Sequence, residues 1–316
     1  MQQQIYPSPL SFVFIILLCC LASCSQQKQV IPADNSVSGV IHVSADESFQ
    51  PVIEEQVKMF EGSYPGSKII VSYKPEADCI KDLIKDTGTR MVIVTRSLNS
   101  KEQNYLYDSL GYKPVWDKLA TDAIAIVVNK NSNDTLFTLP RLKQQLSGKL
   151  KNSQTIVFDG LNATSTVRFA IDSILRGDKF DSSSVRAVRS SREVLEYVAA
   201  NKNAIGMVGI SWIGNPEIKE QTDMLTKVKL AYVECTRCED STYVKPTQVG
   251  IMSRRYPLVR GLYYILKENY AGLGSGFINF MRYERGQLIF RRAYLSPAKI
   301  GFTIRDVKIN EHLQKD

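Results

Sequence analysis

The stretch that decides the fold is LATDAIAIVVNKN, residues Leu119–Asn131. Its apolar residues are nearly continuous, which is typical of a strand that other layers cover on both faces. Shorter apolar strands come before and after it, such as VIHV (40–43), RMVIV (90–94) and QTIVF (154–158). Each of these strands leads through a loop into a stretch with helical spacing of apolar residues. This alternation predicts an α/β fold of mostly parallel sheets flanked by helices.

Three of the loops that follow predicted strands are rich in hydroxyl groups. They are SADESF (Ser44–Phe49), TRS (Thr95–Ser97) and NATSTVR (Asn162–Arg168). Loops that lead into helices present free backbone N–H groups, which bind oxyanions, and arginine adds a forked donor. We therefore predict one shared anion site. Its candidate ligands are Asp46, Glu47, Ser48, Phe49, Thr95, Arg96, Thr164, Ser165, Thr166 and Arg168.

Arg168 raises the question of which anion would suit this arrangement. Apolar residues at helical spacing predict a helix that begins close to Val167, so Arg168 falls near its first turn. A cation at this end opposes the helix dipole, and an anion held there would relieve the conflict. Two other interpretations stay open for these loops. The hydroxyl groups are also ordinary helix caps, and Arg96 and Arg168 could instead face solvent or a surface ion-pair partner.

The first residues predict an exported chain. The apolar run at residues 12–21 is too short to span a bilayer and is typical of a signal peptide. It is followed by LASC, which resembles the lipobox of bacterial lipoproteins, so we predict a signal peptide over residues 1–23 and lipidation of Cys24. An ordinary signal peptide with a chance cysteine is the alternative. The polar residues 24–38 predict a tether.

The net charge limits the ligand. The 316-residue chain carries a formal charge of +8, and residues 1–23 contain no charged side chain. A basic balance suits an anionic small ligand, nucleic acid or an anionic membrane surface. Export argues against nucleic acid, which leaves an anionic small ligand or an anionic membrane surface.

Three cysteines lie beyond the predicted lipidation site Cys24. Cys235 and Cys238 form a CTRC motif, which could close a small disulfide or supply half of a zinc site. The chain has only two histidines, His42 and His312, and no second CxxC, so a metal site is disfavoured. Cys79 is predicted to be a buried, small apolar residue.

The order of the sequence motifs resembles the phosphate-binding proteins of bacterial phosphate ABC transporters. The likeness runs from Gly39 to Ile304. It rests on SADESF, VTRSLNSKE (94–102), TST (164–166), NAIGMVG (203–209), YPLVRGLYYIL (256–266) and FINFMRYERGQLIFRRAY (277–294).

The resemblance implies a two-lobed clamshell of the type II periplasmic-binding-protein kind, with the anion between the lobes. Lobe 1 would comprise residues 39–121 and 244–309, lobe 2 residues 122–243, and a tail residues 310–316. TST would hold the anion from one side, with the DESF and TR residues on the other. The implied protein is a monomeric periplasmic lipoprotein that delivers phosphate to an ABC permease in the inner membrane. It needs no cofactor and no catalysis.

The sequence departs from this family at several acidic positions. PEADC (75–79) replaces a glycine-serine loop and contains Glu76 and Asp78, while Asp46 and Glu47 stand where hydroxyl groups are usual. Carboxylates here could accept a proton-bearing oxygen of HPO4²⁻ and so reject sulfate, or they could cap helix N-termini. Ser165 replaces the middle glycine of the family motif.

Two other functions are alternatives for this sequence. An enzyme would need a motif such as GxSxG, a P-loop or HExxH, and the sequence has none of these. A phosphatase that uses the same oxyanion loops stays an alternative. The second rival is a surface lipoprotein that binds a partner or glycan through aromatic residues such as Trp212, although at strand or helix spacing such residues are usually core.

Overall fold

The computed structural model describes residues 34–150, 154–160 and 164–299. The predicted signal peptide, the lipidation site Cys24, residues 24–33 of the predicted tether, Asn162 and the predicted tail lie outside these residues. Within the described ranges, no helix combines the length and apolar character needed to cross a membrane.

The first part of the chain alternates strands and helices as the sequence predicts. Its elements are β1 (Gly39–Asp46), α1 (Gln50–Ser63), β2 (Ser67–Lys74), α2 (Glu76–Lys85), β3 (Thr89–Val94), α3 (Ser100–Leu110) and β4 (Val115–Asn129). A short 3-10 turn, Glu47–Phe49, joins β1 to α1.

The middle of the chain forms a second set of elements. These are β5 (Leu136–Phe137), α4 (Leu139–Leu146), β6 (Thr155–Phe158), α5 (Ser165–Phe169), β7 (Val185–Ala187), α6 (Ser191–Ala200), β8 (Ala204–Gly209), α7 (Lys219–Met224), β9 (Val228–Leu230), β10 (Tyr232–Glu234) and β11 (Tyr243–Val244). A π-helical segment, Ala170–Leu175, continues α5, and a 3-10 turn, Ile210–Trp212, follows β8.

The last part of the chain returns to the first set of strands. It consists of α8 (Gln248–Met252), β12 (Val259–Leu266), α9 (Leu273–Arg282), α10 (Glu284–Arg292) and β13 (Ser296–Pro297). The closing stretch is helical as predicted, but it forms two helices. Tyr283 between them is extended, and a β-carbon at Gly286 would lie 2.4 Å from the Phe280 carbonyl oxygen, so only glycine allows this close crossing.

Eight strands form one continuous sheet in the order β2-β1-β3-β12-β4-β8-β6-β7, and β9 and β13 also pair with β4. Strands β5, β10 and β11 form a separate three-stranded sheet. The neighbours β2, β1 and β3 are parallel, and so are β8, β6 and β7. Two mostly parallel half-sheets therefore flank β4. This is the mixed α/β arrangement of a periplasmic-binding-protein fold, as predicted.

Strand β4 joins the two half-sheets. Residues 115–123 pair with β12, whereas Ile124–Val128 pair with β8. We call the β2-β1-β3-β12 side the first half-sheet and the β8-β6-β7 side the second half-sheet. Although a continuous apolar run is typical of parallel strands, β4 is antiparallel to both neighbours. Its apolar residues from Leu119 to Val128 are buried because this part of the strand lies in the middle of the sheet. The exact lobe boundaries stay a prediction.

The structure decides between the disulfide and the zinc site that the sequence left open for Cys235 and Cys238. Cys235 and Cys238 are joined by a disulfide, so neither thiol is free to bind zinc. Cys79 is fully buried in a small apolar cluster with Ile80 and Leu83, as predicted.

Candidate functional site

The predicted loops that contain Ser48 and Ser165 meet between the first and the second half-sheet. Asp46 ends β1, and its carboxylate accepts a hydrogen bond from the backbone N–H of Ser48, 3.0 Å away. The Ser48 hydroxyl lies 3.2 Å from the hydroxyl of Ser165 and 3.4 Å from that of Thr166. All four of these side chains are buried. A hydroxyl group from the first half-sheet is thus held against two from the second.

The TRS loop reaches the same region through Thr95 alone. Its hydroxyl oxygen accepts a hydrogen bond from Arg168 Nη2 at 2.7 Å and donates one to Glu76 Oε1 at 2.8 Å. Arg168 Nε also donates to Glu76 Oε2 at 2.8 Å. Arg168 therefore faces the opposite half-sheet rather than bulk solvent alone.

Arg96 and Thr164 have ordinary local roles in the structure. Arg96 makes two 2.8 Å hydrogen bonds to Glu102, the residue that completes the capping box of α3 with Asn99. The Thr164 hydroxyl caps α5 by accepting from the backbone N–H of Val167 at 3.3 Å. Arg96 therefore forms an ion pair and Thr164 caps a helix, as the alternative interpretations of these loops describe.

The central cation of the region is Arg260, which sequence reasoning did not select. It is buried in β12, and its guanidinium lies 4.9 Å from the ring centroid of Phe49. Nε donates to Asp122 Oδ2 at 2.8 Å, and Nη1 donates to the Ser165 hydroxyl at 2.7 Å. The buried Nη2 has no hydrogen-bond partner among the described residues.

Strand β8 ends in a glycine because the site is packed tightly there. A β-carbon at Gly209 would lie 2.9 Å from the Ser48 carbonyl oxygen and 3.4 Å from Arg260 Nη2. A larger residue would push the 47–49 turn away from the second half-sheet. The glycine that ends NAIGMVG therefore permits this close approach.

We use the term polar cluster for two neighbouring hydrogen-bonded groups of polar residues, one formed by Glu76, Thr95 and Arg168 and the other by the remaining residues. Its residues are Asp46, Glu47, Ser48, Glu76, Thr95, Asp122, Asp159, Ser165, Thr166, Arg168, Ser191 and Arg260. Within this described set, five carboxyl groups meet two guanidinium groups, so the cluster would be net negative if every acid were ionised. Glu47 contributes by accepting hydrogen bonds from the backbone N–H and the hydroxyl of Ser191, at the start of α6.

Burial changes the acidity of these carboxyl groups. Desolvation raises the pKa of Asp46 to about 6, although the nearby Arg260 charge opposes the shift. Desolvation and the neighbouring Asp159 raise the pKa of Glu47 to about 7. The pKa values of Asp122 and Asp159 are also raised by burial. At Glu76, burial is outweighed by the hydrogen bonds and charge of Arg168, which hold its pKa below the usual value.

We expect the free energy of unfolding to fall as the pH is raised from about 5 to about 8. A carboxyl group whose pKa is raised by folding holds its proton more tightly in the folded chain, so its contribution is lost as the pH rises through the folded pKa. Between these pH values Asp46 contributes on the order of 1 kcal/mol, and Glu47, whose folded pKa is higher, contributes on the order of 2 kcal/mol. Urea unfolding at three pH values measures the slope.

Asp46→Asn and Glu47→Gln should each flatten that slope. Asp78→Asn is the matched control, because Asp78 is an exposed acid in the first turn of α2 and should leave the slope as it is. A free energy of unfolding that rises from pH 5 to pH 8 in the unmodified protein would contradict the assignment of raised pKa values.

The sequence did carry signals for some of the missed residues. Asp122 interrupts the apolar run of β4, and a charge in such a run needs a buried partner. Asp159 directly follows β6, at the edge where parallel strands of α/β sheets bind ligands. Ser191 precedes Glu193 within a cap sequence. Arg260 had no local signal, since its partners lie far away along the chain.

The family of the chain follows from comparison with known proteins. A family model described as the PBP superfamily domain matches residues 31–284, so the chain belongs to the PBP superfamily. This superfamily makes it a substrate-binding protein rather than an enzyme. No significant match to a curated protein was found. Among the described residues, no group of three or more His, Cys, Asp or Glu side chains is placed to hold a metal ion.

Solved structures have the same fold at low sequence identity. A Clostridium perfringens structure, described as that of a phosphate ABC transporter substrate-binding protein with bound phosphate, is 21% identical, with a TM-score of 0.66 over 83% of this chain and 100% of its own. An ABC-type phosphate transport receptor from Vibrio cholerae is 19% identical, with a TM-score of 0.58 over 82% of this chain and 100% of its own. The sulfate-binding protein SubI from Mycobacterium tuberculosis H37Rv is 13% identical, with a TM-score of 0.54 over 82% of this chain and 87% of its own.

Proposed function

We propose that this protein captures an oxyanion, inorganic phosphate before others, in the polar cluster and delivers it to an ABC permease. The observation that carries the proposal is the buried Nη2 of Arg260, which has no hydrogen-bond partner among the described residues. A buried charged donor without a partner is costly, and an anionic oxygen is the group that best satisfies it. The hydroxyl groups of Ser48, Ser165 and Thr166 lie beside it as further donors.

Phosphate suits the acidic side of the cluster better than sulfate does. Asp46 Oδ2 is buried and has no hydrogen-bond partner within the described ranges. An ionised carboxylate there can accept a hydrogen bond only from a ligand that carries a proton, as HPO4²⁻ does. Sulfate offers no proton and would meet an uncompensated negative charge. The structure from C. perfringens is described as holding bound phosphate, which agrees with phosphate as the ligand.

The proposal also covers delivery. With Cys24 lipidated, the 24–38 segment would tether the binding domain to a membrane at the periplasmic face, where an ABC permease would receive the anion. The monomeric state and the place of the anchor are parts of the proposal that follow from the family resemblance.

Calorimetric titration of the full chain in detergent tests the binding. We expect phosphate to bind with a Kd in the micromolar range or below, and sulfate to bind at least about tenfold more weakly, which corresponds to 1.4 kcal/mol. Thr166→Val should weaken phosphate binding by roughly 10-fold or more, because it removes a hydrogen bond to a charged ligand.

Arg96→Gln is the matched control for this titration. Its guanidinium is held by Glu102 outside the polar cluster, so phosphate affinity should not change. If no heat is released with phosphate, sulfate, arsenate or a phosphonate, the proposed function is wrong.

A further inference from the structure

Glu76 occupies donors that a free oxyanion would use. It is the first residue of α2 and is buried. Its Oε1 accepts hydrogen bonds from the backbone N–H of Thr95 at 2.9 Å and from the Thr95 hydroxyl at 2.8 Å. Arg168 adds hydrogen bonds to both carboxylate oxygens, at 2.8 and 3.3 Å. A backbone amide, a hydroxyl and a guanidinium are the donor types that bind oxyanions.

These contacts join the two half-sheets directly, through protein side chains. Thr95 and Glu76 belong to the first half-sheet, whereas Arg168 lies on α5 in the second. Glu47 makes a similar connection, because its carboxylate is held by the N–H and hydroxyl of Ser191 at the start of α6. Two side-chain carboxylates thus fill positions that would suit the oxygens of an anion.

Glu76 also differs from the other carboxyl groups of this cluster in having a lowered pKa. The Arg168 hydrogen bonds and charge hold its pKa low despite burial, whereas the pKa values of Asp46 and Glu47 are raised. At neutral pH the ionised carboxylate of Glu76 therefore lies against Arg168 and Thr95. A dianion that approaches the cluster is repelled by that charge and finds these donors engaged.

We propose that Glu76 is a specificity-determining residue that competes internally with the anionic ligand for Arg168 and Thr95. An incoming oxyanion must displace the Glu76 carboxylate or bind beside it with fewer donors. Glu76 therefore lowers affinity for anions in general and most strongly for those of higher charge. This inference rests on the proposed function, since it concerns the same binding site.

The test compares phosphate and sulfate titrations of the full chain with those of Glu76→Gln. The amide keeps the shape of the side chain but removes its charge, so both anions should bind at least about tenfold more tightly, a change of 1.4 kcal/mol or more. The gain should be larger for sulfate, because it is fully ionised. Combining Glu76→Gln with Arg168→Gln should remove most of the gain, since the released guanidinium is then absent.

Glu102→Gln is the matched control. Glu102 also holds an arginine through two 2.8 Å hydrogen bonds, but it does so outside the polar cluster, so this variant should bind phosphate as the unmodified protein does. Glu76→Ser is the second variant in case the amide disturbs folding, because serine is tolerated at helix starts. Thermal unfolding without ligand identifies any variant that is not folded.

The outcomes separate the two proposals. If the unmodified protein binds phosphate while both Glu76 variants are folded and bind it equally or more weakly, the inference is wrong and the proposed function stands. If only the Glu76 variants bind an oxyanion, the inference is supported and the proposed function is wrong for the unmodified protein. If neither the unmodified protein nor either folded variant binds any oxyanion, both are wrong.

Discussion

Arg260→Met is expected to lower the free energy of unfolding by about 3–5 kcal/mol, because it leaves a buried carboxylate without its partner. The Asp122 side chain is fully buried, and its Oδ2 is held by Arg260 Nε at 2.8 Å. The charge of Arg260 also opposes the raised pKa values of Asp46 and Asp159. Urea unfolding followed by circular dichroism measures the loss.

The loss should depend on pH in a definite direction. Without Arg260, the pKa values of Asp46, Asp122 and Asp159 should rise further, and these acids can escape the penalty by taking up protons. The variant should therefore be closer to the unmodified protein at about pH 5 than at about pH 8. Adding Asp122→Asn to Arg260→Met should recover a large part of the stability at pH 8, because it removes the stranded charge.

An exposed ion pair provides the comparison. Arg282 donates to Asp117 at 2.9 Å, and about a third or more of each side chain is exposed to solvent. Arg282→Met should cost less than about 1 kcal/mol, since solvent screens such pairs. Equal losses for the two variants, or no recovery with Asp122→Asn, would show that the Arg260–Asp122 pair is not the source of the effect.

Local sequence patterns were enough to predict most of the fold. The apolar run of β4 and the alternation around it predicted the α/β class, because each helix or strand depends on the spacing of its own residues. The loops that end β1 and begin α5 were found for the same reason. The break at Tyr283 was not predicted, since it depends on the close approach of α9 and α10 at Gly286.

The centre of the site could not be predicted in this way, because its pairs are distant along the chain. Arg260 meets Asp122 across 138 positions and Ser165 across 95, and these contacts exist only once β12 and β4 are paired. Arg96, in contrast, has a partner that lies close to it along the chain. Its partner Glu102 belongs to the NSKE capping box, a pattern readable from the sequence, which would have assigned Arg96 to that helix start.

Phe49→Ala is expected to reduce both stability and phosphate affinity. The Phe49 side chain is fully buried, and its loss should cost about 3–5 kcal/mol through lost burial and the cavity left behind. Its ring lies under the guanidinium of Arg260, 4.9 Å from centroid to Cζ. Without the ring, Arg260 loses a surface that orients it and a favourable cation–π contact, so the affinity for phosphate should fall by roughly tenfold.

Phe60→Ala separates these two effects. Phe60 is also fully buried, but it packs against Phe277 and Phe280 at centroid distances of 5.2 and 5.5 Å, away from the polar cluster. Its loss should cost a similar free energy of unfolding and leave phosphate affinity unchanged, as measured by titration at a temperature where both variants are folded. Phe49→Leu should keep most of the stability but not all of the affinity, because leucine fills the space without an aromatic face. If Phe49→Ala and Phe60→Ala bind phosphate equally well, the ring of Phe49 does not hold Arg260 in place for the anion.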